Sequence, residues 1–204
     1  LPSATAYWKE GQYTIPLTIS EVPLTVTADI NGRSVGVTVT GTQLSTAISI
    51  PSTEPQGPSM IRWHVTDLAG NRSDVVSDKI TIDTLLPGVI VSPTVTRYQS
   101  LGLVTWSVTV DEPSTLTASI LGRTATILST ESVGNGSRYT LGVTVSASDP
   151  QGLTDLAVTV VDRAGNSVVT HNQTVVIDTI LPTVLGLPSA TAYWKEGQYT
   201  IPLT

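Results

Sequence analysis

Eighteen residues, LPSATAYWKEGQYTIPLT, occur twice in this chain, at Leu1–Thr18 and again at Leu187–Thr204, a spacing of 186 residues. No other feature constrains the fold as much, because a repeat of fixed period must be built from units that can each follow the one before. A weaker repeat lies inside the first. Val65-Thr66-Asp67-Leu68-Ala69-Gly70-Asn71 matches Val160-Val161-Asp162-Arg163-Ala164-Gly165-Asn166, and Thr81-Ile82-Asp83-Thr84-Leu85-Leu86-Pro87 matches Val176-Ile177-Asp178-Thr179-Ile180-Leu181-Pro182. Pro55-Gln56-Gly57 matches Pro150-Gln151-Gly152, and all three pairs keep a spacing of 95. Upstream the spacing falls to 90, where Leu24–Arg33 matches Ser114–Arg123, and the longer loop Glu131–Arg138 makes up the difference. The chain therefore reads as two homologous domains, 1–86 and 87–181, with 182–204 as linker and the start of the next repeat. The outer copies are identical and the inner ones have diverged, so an old duplication of one domain precedes a recent duplication of the pair.

Each unit must be all-β. Thr, Val and Ser dominate, Phe is absent, and 13 Pro and 16 Gly punctuate the chain. β-Branched residues favour a pleated surface, and Pro and Gly break it into short runs. In Ser59–Asp67 (SMIRWHVTD), Ile61, Trp63 and Val65 point one way and Met60, Arg62 and His64 the other. The matching run of the second domain turns Leu156, Val158 and Val160 inward, and Trp106 alternates with Val108 and Val110. Both tryptophans read as core residues. Seven runs follow in the second domain, at 91–99, 103–110, 115–120, 123–130, 138–146, 154–162 and 167–178. The first domain gives 3–9, 12–19, 24–30, 33–40, 45–51, 59–67 and 73–83. Seven short strands in about 90 residues predict two tandem immunoglobulin-like β-sandwiches, plus the first strands of a third repeat.

The turn D-x-A-G-N followed by I-D-T-x-x-P resembles the bacterial Ig-like modules of large cell-surface adhesins. Asp67–Asn71 with Ile82–Pro87, and Asp162–Asn166 with Ile177–Pro182, carry the resemblance in both domains. It implies a stalk or extender segment of a secreted or surface protein, some of whose relatives bind calcium between domains.

The residues bear on that point independently. Strand order sends the B–C, D–E and F–G loops of the second domain back toward the first. These loops hold Asp111 and Glu112, then Glu131, then Asp162 and Asn166, and the arriving linker carries Asp83. Converging carboxylates repel one another. A hard cation with oxygen ligands would relieve that and stiffen the joint, so Asp83, Asp111, Glu112, Asp162 and Asn166 are the candidate calcium ligands. No Lys lies between Pro87 and Gly186 to neutralise the group from within the second domain. The competing reading is a solvated acidic turn, with Asp162 and Asn166 bonding only their own backbone. The first domain offers a thinner set, Glu21, Asp67 and Asn71.

Other chemistry finds little footing. There is no Cys, so disulfides and thiolate metal sites are excluded, and His64 and His171 lack ligand spacing. No Ser-His-Asp arrangement recurs between the domains, so no enzyme is expected. Net charge is −6 and the ten Lys and Arg are scattered, which argues against nucleic acid. No apolar run approaches the roughly 20 residues of a membrane span. The expected role is a spacer in a repetitive bacterial surface protein, extracellular, whose partners are neighbouring repeats of the same polypeptide. Two alternatives stand beside it. One is a carbohydrate- or protein-binding module using Tyr7, Trp8 and Tyr13. The other is a donor-strand filament subunit, in which the open strand edges of 187–204 pair with another chain.

Overall fold

The computed structural model describes residues 5–21, 25–183 and 197–198. Every regular element among them is a strand. The opening strands expected for a third repeat, and the pairing of 187–204 with another chain, lie almost wholly outside the described residues.

The first seven strands are β1 (Ala6–Trp8), β2 (Gly11–Thr18), β3 (Thr25–Ile30), β4 (Arg33–Thr40), β5 (Gln43–Ile50), β6 (Gly57–Thr66) and β7 (Arg72–Ile82). They follow the seven expected runs to within a few residues. Their order is β1-β7-β6-β3-β4-β5-β2, and β4 belongs to both layers. Its Arg33–Val35 pairs with β3, and its Gly36–Thr40 pairs with β5. The sheet thus folds over at Gly36 and faces itself. Ile15, Leu44 and Ile48 from β2 and β5 meet Ile30, Ile61, Trp63 and Ile80 from β3, β6 and β7 in one buried cluster. The turn between β3 and β4 is Asn31-Gly32, with φ of 50° and 83°, the two left-handed residues that a tight hairpin requires. Asn31 also accepts the Met60 amide at 2.9 Å, which ties the hairpin to β6.

The later strands are β8 (Val89–Ser92), β9 (Arg97–Gln99), β10 (Gly102–Val110), β11 (Ser114–Ile120), β12 (Arg123–Thr124), β13 (Thr126–Val133), β14 (Gly136–Val145), β15 (Gly152–Leu153), β16 (Leu156–Asp162), β17 (Ser167–Asn172) and β18 (Val175–Ile177). The same plan is cut into shorter pieces. One layer runs β13-β14-β10-β8, and the other runs β12-β11-β16-β17 with a three-stranded extension, β15-β18-β9. The single first strand expected at 91–99 is in fact two, interrupted at the cis bond Ser92-Pro93, with β8 in one layer and β9 in the other. Pro93 has no N–H to donate to a ladder, and here the strand leaves one layer and resumes in the other. A second core gathers Val104, Trp106, Val108 and Val110 of β10 against Leu116, Leu156, Val158 and Val160. All but Val104 and Leu116 are residues the alternation turned inward.

The two core tryptophans differ in one respect. Trp63 Nε1 donates to Thr46 Oγ1 at 2.7 Å, and Thr46 is fully buried. Trp106 Nε1 has no partner among the described residues. Trp63→Phe therefore strands a buried hydroxyl and Trp106→Phe does not. In chemical denaturation the first substitution is expected to cost about 1–3 kcal/mol more than the second. Equal losses would mean that the Thr46 bond contributes nothing net.

Candidate inter-unit site

The recurrent motifs turn out to be parts of two devices. In the D-x-A-G-N turn, the Asp carboxylate receives the Asn backbone N–H and the Asn side-chain amide. The distances are 2.8 Å and 2.8 Å for Asp67 with Asn71, and 2.9 Å and 2.7 Å for Asp162 with Asn166. Glycine is needed inside this turn because Gly70 and Gly165 sit at φ of 86° and 85°. The Asn71 amide holds the Asp67 carboxyl below the usual carboxylate range.

The second device joins P-Q-G to I-D-T-x-x-P. Gln56 Oε1 accepts the Thr84 amide at 2.7 Å, and its Nε2 donates to Thr84 Oγ1 at 2.8 Å and to the Glu54 carbonyl at 2.7 Å. Gln151 repeats this with Thr179 and Asp149. The clasp fixes the direction in which the chain leaves the sandwich. Gln56→Ala removes two bonds to Thr84, and the Thr84 amide is expected to exchange with solvent at least about fivefold faster. An unchanged rate would show that the linker is held without the glutamine.

Between the clasp and the next sandwich lies the junction. Asp83 leaves β7 with its backbone amide on the Trp8 carbonyl at 2.9 Å, and its Oδ1 accepts the Leu85 amide at 3.3 Å. The Asp83 carbonyl receives Asn166 Nδ2 at 2.8 Å. Lys9 Nζ donates to the Gly165 carbonyl at 2.8 Å, and the Arg163 guanidinium lies 5.8 Å from the centre of the Tyr7 ring. Gly88 donates its amide to Asp111 Oδ1 at 2.8 Å. The linker is thus bonded at both ends.

Of the five candidate ligands, Asp83, Glu112 and Asp162 come together. Each presents a carboxylate oxygen within 4.8 Å of the others. Asp111 and Asn166 stand beside them as braces, Asp111 on the linker amide of Gly88 and Asn166 on Asp83 and Asp162. Asp162 and Asn166 do not bond only their own backbone, as a solvated turn would have it: Asn166 Nδ2 reaches the Asp162 carboxylate and the Asp83 carbonyl, and both residues are buried. Glu131 pairs instead with Arg138 at 3.4 Å, away from the group. Burial first, and then the charges of Asp83, Asp162 and Asp111, push the Glu112 carboxyl from its ordinary 4.5 up to about 7. Such a carboxyl lacks a cationic partner.

Sequence reasoning missed the junction roles of Lys9 and Arg163, since a lone surface cation carries no signal, and it offered Tyr7 only as part of a binding surface. The contrast of Arg163 with Leu68 inside an otherwise shared turn was the one clue. Trp8, whose exposure the sequence left open, is 8% exposed and stacks on Tyr13 with ring centres 4.2 Å apart. Tyr7 stays 36% exposed beside Arg163 while Trp8 is buried, so the three aromatic residues form no continuous exposed row. His64 lies between Asp74 and Asp29, and His171 against Asp155, in separate sandwiches.

This architecture places the chain among immunoglobulin-like modules. The chain belongs to the bacterial Ig-like domain family, whose profile matches residues 10–84 and 132–179, more than half of its length. Among solved structures it is similar to the fibronectin(III)-like modules of Clostridium thermocellum CbhA, at 12% identity and a TM-score of 0.45, covering 87% of this chain and 90% of that one. It is also similar to the titin Ig tandem A164-A165, at 11% identity and a TM-score of 0.33, covering 87% and 93% respectively. No curated protein is similar enough in sequence to count as a relative.

Proposed function

We propose that this chain is a spacer of a repetitive bacterial surface protein, two sandwiches of about 1–86 and 87–181 stacked end to end, with no catalytic role. One observation carries the reading: the linker Asp83–Gly88 is bonded to the first sandwich at Trp8 and Gln56 and to the second at Asn166 and Asp111, and a joint with so little slack supports end-to-end stacking. Strands of eight to ten residues, such as β2 and β6, rise roughly 3.3 Å per residue, so each unit adds length in proportion to its repeats. An extracellular setting suits a cysteine-free, acidic chain of this family.

The junction carries the second part of the proposal. Asp83, Glu112 and Asp162 offer the hard oxygen donors that calcium takes, with water completing its shell. Asp111 and Asn166 hold those donors in place. A bound cation supplies the positive charge that Glu112 lacks. The binding-module alternative loses ground because Trp8, the central residue of its aromatic set, is buried.

Small-angle scattering of the whole chain tests both parts, first in millimolar calcium and then in excess chelator. An extended rod in calcium that bends or broadens in chelator is the expected result. An extended profile unchanged by chelator removes calcium and leaves the spacer. A compact particle in both conditions removes the spacer itself.

A further inference from the structure

Two large apolar side chains, one in each sandwich, stand in solvent. Leu68 is 80% exposed at the tip of the first D-x-A-G-N turn, and Tyr98 is 75% exposed on β9. Scattered apolar residues on a surface need no explanation. These two are not scattered, because each occupies a position that the observed junction uses.

Tyr7 pairs with Thr81 in the parallel ladder of β1 and β7, and Tyr98 pairs with Val176 in the parallel ladder of β9 and β18. Thr81 and Val176 are equivalent in the 95-residue repeat, so Tyr98 is the second unit's Tyr7. Leu68 and Arg163 are the same residue of the same turn. In the observed junction Arg163 lies over Tyr7. The spacing also matches. From Ile82 to Gly102, which opens the next long strand, is 20 residues, and from Ile177 to Gly197 is again 20. Gly197 belongs to the repeated eighteen residues, in which it is the copy of Gly11.

We propose that the far end of the second unit docks head to tail on the near end of a following copy of the first, with Leu68 of that copy seated over Tyr98. This rests on the tandem-array reading. The joint keeps the bracing groups: Asn71 faces the Asp178 carbonyl as Asn166 faces that of Asp83. It keeps acidic positions in Asp178, Asp67 and Glu21, which lies in the connection after β2. It loses both cations, because Ser100 replaces Lys9 and Leu68 replaces Arg163. An aliphatic contact with a tyrosine ring, driven by burial of apolar surface, takes the place of a cation over a ring. The array therefore alternates two kinds of joint.

The test uses a two-period chain, made by fusing a second full chain at the shared eighteen residues. Leu68→Cys is placed in the first copy or in the second, and the thiol is alkylated with iodoacetamide. The chain has no other Cys, so each thiol reads one site. The first-copy thiol is open and serves as the reference. The second-copy thiol is expected to react at least about tenfold more slowly, and Tyr98→Ala in the first copy is expected to restore the fast rate. Leu68 and Tyr98 are exposed within their own units, so neither change threatens folding. Equal rates in an extended particle overturn this joint and leave the spacer reading intact. Equal rates in a compact particle overturn both. Slow alkylation that Tyr98→Ala does not relieve overturns the pairing.

Discussion

Gly136→Ala is expected to lower the melting temperature of the second sandwich by roughly 10–20 °C while the first keeps its own transition. A Cβ at Gly136 would overlap the Val110 carbonyl oxygen and come within 2.6 Å of the Asp111 carbonyl carbon and 2.7 Å of the Glu112 amide nitrogen. These are backbone atoms, so no side-chain rotation relieves them. Either β14 or the end of β10 must move, and their ladder runs continuously from Gly102↔Val145 to Val110↔Ser137. The first core draws only on residues between Trp8 and Ile82 and does not feel the change. A shift of the second transition below about 4 °C would contradict this packing. A loss of both transitions together would show that the two cores melt as one.

Glu112→Gln gives the other large effect, and its sign depends on pH and on calcium. The folded chain raises the Glu112 carboxyl to about 7, chiefly by burial. A raised carboxyl favours folding in its protonated form. That contribution is complete below about 4.5 and is lost as pH rises through 7. At pH 8 in chelator the ionised Glu112 is a burden, discounted for solvent screening to about 1 kcal/mol. Glutamine removes the burden, so the second sandwich of the variant should melt about 4–8 °C higher there and no differently at pH 4. In saturating calcium the order reverses, because the variant has lost a ligand. Thermal melts at two pH values, with and without calcium, decide it. A variant less stable than the parent in chelator at pH 8 would mean that Glu112 has a cationic partner.

The strands were legible because alternation survives wherever one face is buried, as in β6 and β10. Interruptions were less so. The break at Ser92-Pro93 and the gap between β17 and β18 lie in runs whose pattern continues across them. Convergence at the junction was legible from strand order alone, which brought Asp83, Glu112 and Asp162 together. The division of labour was not, because it depends on which backbone amides lie nearby. Asp111 meets the free N–H of Gly88, and Asn166 meets the Asp83 carbonyl, so each is spent as a brace. Burial of Trp8 was equally unreadable, since it follows from the parallel pairing of β1 with β7, a long-range contact. The role of Gln56 lay hidden in the repeat itself: P-Q-G and I-D-T recur together because one holds the other.

That parallel pairing also bears on force. In each sandwich an early strand runs parallel to the closing one, β1 with β7 in the first and, after β8, β9 with β18 in the second. A chain under tension pulls these partners in opposite directions along their common axis. Their bonds, extended by the Asp83 amide on Trp8 and the Asp178 amide on Gln99, share the load at once instead of opening in succession like a zip. Each unit thereby carries a shear lock, reached by tension directly at β1 in the first sandwich and only behind β8 in the second.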